Sequence, residues 1–183
     1  MEIFRHNDLQ GIARVVQAGG VVIYPTDTVW GLGCNALDPK ATQRLKQLKG
    51  KPTDANLIWL LPSVAAVEKH CGAVTPTERR LLKQKHTSVV IHGQAVRVIC
   101  SGWLNRLLTV CGVPLVGTSA NPHGQPVITS WRQGVTLFDG KTDAVVRGRK
   151  IYHQTPSTLA AVDNTQNPPQ IKIIRQGAGI SIK

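Results

Sequence analysis

The chain has 183 residues, 42% of them hydrophobic, which suits one folded domain with a sizeable core and excludes a disordered polypeptide. Its 22 Lys and Arg residues outnumber its 10 Asp and Glu residues, and the net charge of +12 favours polyanionic partners such as nucleotides or RNA. No apolar stretch approaches the roughly 20 residues that cross a bilayer, and residues 1–7 lack the apolar core of a signal peptide, so we expect a cytoplasmic protein with no membrane partner.

The first half of the chain predicts helices and buried strands in alternation. Asn7 or Asp8 can cap a first helix that Gly19-Gly20 ends, and the continuous apolar run that follows is typical of a strand covered on both faces. Thr75 and Glu78 form a capping box at the start of a later helix. The remaining predictions are a strand over 21–24, a helix over 39–49, a strand over 57–61 and a short helix over 63–70.

The second half predicts a β-hairpin and then further strands and helices. The hairpin joins 87–92 to 95–99 through His92-Gly93-Gln94. Helices are expected over 103–110 and 130–138, and strands over 114–117, 144–146, 158–162 and 171–174. This order predicts the α/β class, with residues 1–183 forming a single domain in which helices flank a mixed β-sheet.

Three stretches of small polar residues lie at the ends of predicted strands. They are Pro25-Thr26-Asp27-Thr28, the segment 117–122, and Thr155-Pro156-Ser157-Thr158. Ligands of open α/β sheets bind where such loops converge, and short hydroxyl side chains leave room for them. Ordinary turn formation explains each stretch equally well when it is taken alone.

Lys49-Gly50-Lys51 closes the helix predicted over 39–49 and also has two interpretations. Lysines in a last helical turn complement the helix dipole, and Gly50 is an ordinary C-cap residue. Alternatively, the two cations are directed at phosphate groups.

Several common signatures are absent from the sequence. It contains neither a GxxxxGK[ST] P-loop nor a complete GxGxxG fingerprint, and it has no GxSxG elbow. The four cysteines form no CxxC pair and the six histidines have no metal-ligand spacing. The sequence therefore gives no reason to expect a protein-bound metal.

Five segments, in this order along the chain, resemble the signature of the YrdC/TsaC family. They are YPTDTVWGLGC at 24–34, LKGKP at 48–52, TSANPHGQP at 118–126, PSTL at 156–159 and IRQGA at 174–178. The first and third are the most specific, and together the five cover roughly residues 8–179.

The resemblance implies an L-threonylcarbamoyladenylate synthase, a nucleotidyltransferase that forms threonylcarbamoyl-AMP and pyrophosphate from L-threonine, bicarbonate and ATP. It implies a twisted open sheet around a large basic concave cavity, and Mg²⁺ that accompanies ATP. The product would serve tRNA threonylcarbamoyladenosine modification by a downstream transferase complex, and direct contact with tRNA or double-stranded RNA is compatible with the charge.

Carried over position by position, the resemblance also assigns roles to individual residues. No metal ligand from the protein is expected, and nothing in the implied reaction needs a base at Asp27. The implied catalytic residues are Lys49, Lys51, Ser119 and Asn121; the ATP-binding residues are Lys51, Thr87, Ser119, Val127 and Arg175; and the threonine-binding residues are Thr28 and Ser157.

The chain departs from the family pattern at four places. Lys51 replaces an arginine and lacks its planar fork for phosphate, the P-G-P before Thr87 is absent, Ala55 replaces an asparagine, and His123 replaces a serine. Two alternatives therefore stay open: a non-catalytic tRNA- or double-stranded-RNA-binding protein, and a divergent nucleotide-binding paralogue that uses another carbamoyl compound.

Overall fold

The computed structural model describes residues 1–50, 52, 57–148, 151 and 155–181. The helices in these ranges are α1 (Leu9–Gln17), α2 (Pro39–Lys49), α3 (Val64–Cys71), α4 (Pro76–Leu82), α5 (Gly102–Cys111) and α6 (Trp131–Phe138). The strands are β1 (Glu2–Phe4), β2 (Val22–Pro25), β3 (Trp30–Gly33), β4 (Ile58–Leu61), β5 (Thr87–Ile91), β6 (Gln94–Val98), β7 (Leu115–Ser119), β8 (Ala144–Val146), β9 (Thr158–Asp163) and β10 (Gln170–Arg175). None of the helices in these ranges has the length and apolar character that crossing a membrane requires.

All ten strands form one sheet in the order β1-β8-β2-β3-β7-β4-β6-β5-β9-β10. Parallel pairs (β1 with β8, β2 with β8, β4 with β6, β5 with β9) are interspersed with antiparallel ones, so the predicted mixed sheet is confirmed. β7 lies at the centre, antiparallel to both β3 and β4. The strands that carry the three polar stretches therefore come from the beginning, middle and end of the chain.

Helices cover both faces of the sheet and bury three apolar clusters. Ile12 of α1 and Leu107 of α5 pack in the first cluster, and Leu45 of α2 packs in the second. Val67 of α3 packs with the hairpin strands in the third cluster. β2 contributes to both of the first two clusters, Val22 and Tyr24 to one and Ile23 to the other, which explains its continuous apolar sequence.

Most of the predicted elements are confirmed to within a few residues. Asp8 is the cap of α1, and its side chain accepts a hydrogen bond from Gly11 N at 2.9 Å. Thr75 and Glu78 make the expected reciprocal capping box. The hairpin turns at two residues of positive φ, His92 at 46° and Gly93 at 85°, which is the twist that a two-residue hairpin loop favours.

Two strands were missed in the sequence. β1 is a three-residue strand that pairs only with β8, about 140 residues away, so no local pattern marks it. β3 carries no strand prediction, because two glycines interrupt its apolar residues. Its Gly33 lies so close to its neighbours that a Cβ there would be 2.5 Å from Val116 O and 2.6 Å from a ring carbon of Tyr24. Gly33 is therefore a packing requirement rather than a sign of a loop.

Candidate functional site

A cavity of about 320 Å³ opens at the centre of the sheet, beside β7. Its walls include side chains from the β2–β3 turn, the last residue of α2, the end of β7, the segment before β9 and the end of β10. The polar residues among them are Thr26, Thr28, Lys49, Arg97, Thr118, Ser119, Asn121, His123, Ser157 and Arg175. The three polar stretches singled out in the sequence thus converge on one cavity.

The ammonium of Lys49 lies in this cavity wall within a compact polar cluster. Lys49 is the last residue of α2 and is 2% exposed. Its Nζ donates to Ser119 O at 2.6 Å, to Asn121 Oδ1 at 2.7 Å and to Ser119 Oγ at 3.3 Å. Ser119 Oγ donates to Asn121 Oδ1 at 2.6 Å. These three acceptors are neutral oxygens, and they fix the orientation of the ammonium.

The backbone around Lys49 explains how α2 delivers this side chain. Gly50 adopts a left-handed conformation (φ 61°, ψ 32°) and ends the helix, so the expected glycine cap is confirmed. The Lys49 carbonyl accepts from His123 N at 2.8 Å, which ties the helix end to the segment after β7. Lys51 and Ala55 lie outside the described residues.

The Pro25-Thr26-Asp27-Thr28 turn is organised by Thr26. Its Oγ1 accepts from Thr28 N at 3.1 Å and from Val29 N at 3.0 Å, and it donates to Val29 O at 2.6 Å. Thr28 is buried, at 5% exposed, and its own hydroxyl lies 3.1 Å from that of Thr26. The turn therefore uses the first threonine for its own backbone and leaves the second at the cavity wall.

Ser157 and Arg175 bring the C-terminal part of the chain to the cavity. The Ser157 hydroxyl lies 2.9 Å from that of Ser88, and its carbonyl accepts from Arg175 Nη2 at 2.9 Å. Burial lowers the pKa of Arg175 from its usual value, but an arginine stays charged near neutral pH. Thr158 holds the segment after Arg175, because its Oγ1 accepts from Gly177 N and Gly179 N, both at 3.0 Å.

Two residues with an implied ATP-binding role are not among the described residues that line this cavity. Thr87 is fully buried at the start of β5, where its Oγ1 donates to Lys85 O at 3.2 Å and accepts from Ile180 N at 3.3 Å. Val127 lines a separate apolar depression beside α6. The structure thus brings together Thr28, Lys49, Ser119, Asn121, Ser157 and Arg175, and it leaves Thr87 and Val127 apart from them.

Arg97 is the residue of this cavity that the sequence analysis missed. It lies in β6, is 5% exposed, and its Nη2 donates to Asp27 Oδ2 at 2.6 Å. Burial lowers its pKa, and the charge and hydrogen bond of Asp27 oppose that shift. An arginine at an alternate position of a predicted apolar strand was the available signal. Ala95 and Arg97 face the cavity, whereas Val96 and Val98 face the apolar core.

Within the described ranges, no three His, Cys, Asp or Glu side chains come together as a metal site would require. The oxygen atoms of Ser119 and Asn121 belong to the donor class that Mg²⁺ prefers. These two side chains could contribute oxygen ligands to a magnesium ion.

Comparison with known proteins gives a consistent family relationship. The family model for Sua5, YciO and YrdC proteins, described as telomere recombination, matches residues 14–177. A threonylcarbamoyl-AMP synthase from Stutzerimonas stutzeri (strain A1501) is 32% identical over 191 residues, which cover 92% of this chain and 94% of the relative.

Solved structures match the fold over almost the whole chain. Sua5 of P. abyssi, solved in complex with L-threonine, superposes with a TM-score of 0.83 at 26% identity and covers 96% of this chain; the chain spans 57% of that protein. YciO of E. coli gives a TM-score of 0.83 at 20% identity, with 98% of each chain covered, and supports the fold alone.

Proposed function

This chain belongs to the Sua5/YciO/YrdC family, and we propose that it is a threonylcarbamoyl-AMP synthase that joins L-threonine, bicarbonate and ATP. The observation that carries the proposal is the buried Lys49 ammonium, held by Ser119 and Asn121 in the cavity that Thr28 and Ser157 also line. The 32% identity to a synthase over 92% of the chain supports the same activity. As a reaction class, this is nucleotidyl transfer to a carbamate.

The chemistry requires positioning and charge neutralisation more than a dedicated nucleophile. The amine of threonine captures carbon dioxide derived from bicarbonate, and an oxygen of the resulting carbamate attacks the α-phosphorus of ATP. The bond from that phosphorus to the bridging oxygen breaks, and pyrophosphate leaves. Such transfers depend on holding the reactants in line and on cations placed where charge develops.

The phosphate groups of ATP are proposed to bind to lysine and arginine side chains of the cavity. Lys49 is preoriented by Ser119 O and Asn121 Oδ1, and it can donate to a phosphate oxygen by exchanging a longer contact, the 3.3 Å bond to Ser119 Oγ. Arg175 supplies a second cation at the end of β10, and Lys51 is proposed as a third from its sequence position. Ser119 and Asn121 supply polar contacts beside them. The oxygens of Ser119 and Asn121 would contact Mg²⁺ that enters with ATP, and the ion would supply positive charge near the phosphates.

Thr87 and Val127, which do not line the cavity, have an indirect place in the proposed ATP binding. Thr87 accepts from Ile180 N, so it supports the segment that follows Arg175. Val127 lines the separate depression beside α6, and it is included in the proposal from its sequence position alone.

Amino-acid binding is proposed for two hydroxyl side chains and one further arginine of the cavity. Thr28 and Ser157 present hydroxyl groups that can bond to the polar atoms of threonine. Arg97 is a buried guanidinium in the same wall, and its charge matches the α-carboxylate of an amino acid. The cavity therefore offers separate groups for the carboxylate and for the triphosphate.

The wider partners follow from the reaction product. Threonylcarbamoyl-AMP is a mixed anhydride, so a transferase complex that modifies tRNA is its proposed consumer, in the cytoplasm. The net charge of +12 is compatible with direct tRNA contact.

The test is pyrophosphate release from ATP by the purified protein, with threonine and bicarbonate each omitted in turn. We expect release to require both, and to fall about 10²-fold or more in Lys49→Ala, as it does on loss of one charge-stabilising group elsewhere. Lys40→Ala is the matched control, since Lys40 is exposed at the other end of α2.

A folded protein that releases no pyrophosphate would contradict the proposal. Salt-sensitive tRNA binding in such a protein would favour the RNA-binding alternative instead. ATP binding without any response to threonine would favour a paralogue that uses another carbamoyl compound.

A further inference from the structure

We propose that Asp27 is a positioning residue, which holds the guanidinium of Arg97 in the orientation that faces the amino-acid substrate. The inference deepens the proposed function and rests on it for the identity of that substrate. It concerns a residue to which the reaction itself assigns no role.

The ion pair between the two residues is strongly asymmetric. Arg97 Nη2 and Asp27 Oδ2 are 2.6 Å apart, and the side chain of Arg97 is 6% exposed while that of Asp27 is 45% exposed. The guanidinium of Arg97 is therefore the more strongly desolvated partner, whereas the carboxylate of Asp27 remains in contact with solvent. Removal of the exposed partner would leave a buried charge without its counter-ion.

Asp27 reaches Arg97 from outside the substrate cavity. Arg97 and Thr26 line both the substrate cavity and a second cavity of about 540 Å³, whereas Asp27 lines only the second. Arg97 thus forms part of the wall between the two cavities. A carboxylate on the far side can direct the guanidinium without occupying the space that a ligand would take.

The turn that carries Asp27 is rigid enough to act as an anchor. Thr26 accepts from the amides of the two residues that follow Asp27, and its own amide donates to Val29 O at 3.2 Å. The next residue, Thr28, lines the substrate cavity. One turn therefore places a substrate-facing hydroxyl and the anchor of a substrate-facing cation in a fixed relation.

Few other groups restrain the guanidinium. His86 Nδ1 lies 3.3 Å from Arg97 Nη2 and 3.2 Å from Asp27 Oδ2, so it joins the same corner from the loop before β5. The Nε of Arg97 is buried and has no hydrogen-bond partner within the described part of the chain. Among those residues, Asp27 is the one carboxylate bonded to Arg97, and its loss would free the side chain to rotate.

The first experiment separates threonine binding from ATP binding. We expect Asp27→Ala to raise the KM for threonine at least tenfold and to change the KM for ATP less than twofold. Asp27→Glu should restore the threonine KM to within about threefold of the wild type. Asp139→Ala is the control, because Asp139 is exposed and distant in sequence, at the end of α6. Equal effects on both substrates, or no effect on threonine, would overturn the proposal.

A double-mutant cycle tests whether Asp27 acts through Arg97. In an Arg97→Gln background, Asp27→Ala should add less than a twofold further change in the threonine KM. A full tenfold further loss would mean that Asp27 acts independently, and the proposal would be wrong.

An NMR measurement without substrate makes the outcome independent of the enzyme activity. The guanidinium nitrogen signals of Arg97, assigned with Arg97→Lys, should report restricted rotation in the wild type and free rotation in Asp27→Ala. Suppose that the wild-type protein bound no threonine but that Asp27→Ala still freed the rotation of the guanidinium. The proposed function would then be wrong, and the role of Asp27 in orienting Arg97 would be supported. Unchanged rotation in Asp27→Ala would overturn the anchor itself.

Discussion

The two threonines of the β2–β3 turn, Thr26 and Thr28, have different roles although their side chains are identical. The hydroxyl of Thr26 is committed to the backbone of its own turn, with two amide donors and one carbonyl acceptor. Within the described residues, the hydroxyl of Thr28 has one hydrogen-bond partner, the hydroxyl of Thr26. Thr28 also lines the cavity. Stability and substrate binding should therefore respond to different positions.

Replacement of each threonine by the isosteric valine tests this division. Thr26→Val leaves two amides without their acceptor, and we expect it to lower the free energy of unfolding by about 1–3 kcal/mol. Thr28→Val should change stability less than about 1 kcal/mol but raise the KM for threonine about threefold to tenfold. Urea unfolding and steady-state kinetics measure the two effects. The reverse pattern would show that Thr28, not Thr26, supports the turn.

The sequence identified many of the residues that line the cavity, but it did not show which of them contact one another. Lys49 lies 70 residues from Ser119 and 72 from Asn121, and family motifs alone suggested that they meet. Asp27 was set aside because the reaction needs no base there. Its contact is with Arg97, 70 residues away, and a partner at such a distance has no local signature.

The C-terminal strand β10 and the turn after it work as one supporting element. Arg175 ends the strand, and the following residues fold back over the start of β9, where Ala178 N donates to Pro156 O at 2.9 Å. A Cβ at Gly177 would lie 2.3 Å from Pro156 O, so only glycine fits there. Thr158 fixes this turn through two amides, and so it supports the backbone that directly follows Arg175.

Thr158→Val should therefore weaken nucleotide binding although Thr158 is fully buried beneath the turn. We expect the KM for ATP to rise about tenfold, and Thr158→Ser, which keeps the hydroxyl, to remain within about twofold of the wild type. Thr109→Val, on the exposed side of α5, is the control. If Thr158→Val raised the KM for ATP in an Arg175→Ala background by the same factor, the effect would not pass through Arg175.

Helices and strands were predictable where a strong local sequence pattern encodes them. They were missed where their formation depends on pairing with residues distant in the chain. The capping box of α4 and the His92-Gly93 hairpin loop are encoded within a few residues. β1 exists because β8 offers it a parallel partner, and β3 because Gly33 can pass beside Tyr24. These two strands depend on contacts that no short window of sequence contains.

Across the whole molecule, several ionisable groups are buried in their uncharged forms. Burial raises the pKa of the Cys34 and Cys111 thiols to about 12 and shifts that of the Tyr24 hydroxyl upward as well. An unfolded thiol titrates near pH 8.5. The native state therefore binds these protons more tightly than the unfolded state. The stabilisation is fully present below about pH 8.5, and it is lost as the pH rises toward the native pKa.

Stability should consequently fall between about pH 8.5 and pH 12, and part of the fall should depend on the two cysteines. We expect the free energy of unfolding in urea, measured from pH 7.5 to 10.5, to decline less steeply in the Cys34→Ala/Cys111→Ala variant than in the wild type. The slope is the relevant quantity, because the cavities left by the substitutions lower stability at every pH. Equal slopes would mean that the thiols are accessible in the native state.

The pairing of β1 and β2 with β8 has a consequence for the order in which the chain folds. Residues 22–23 form ladder bonds with 144–145, and residues 2–4 with 144–146, so the amino-terminal strands close one side of the sheet only after most of the polypeptide exists. Loops of this length close slowly, and folding rates fall as contacting residues become more distant in sequence. The catalytic cavity takes its walls from residue 24 through residue 175. Recovery of pyrophosphate release after dilution from denaturant should thus lag behind recovery of helical circular dichroism. During synthesis, α1 stays partly uncovered until β8, about 130 residues further along the chain, has been made.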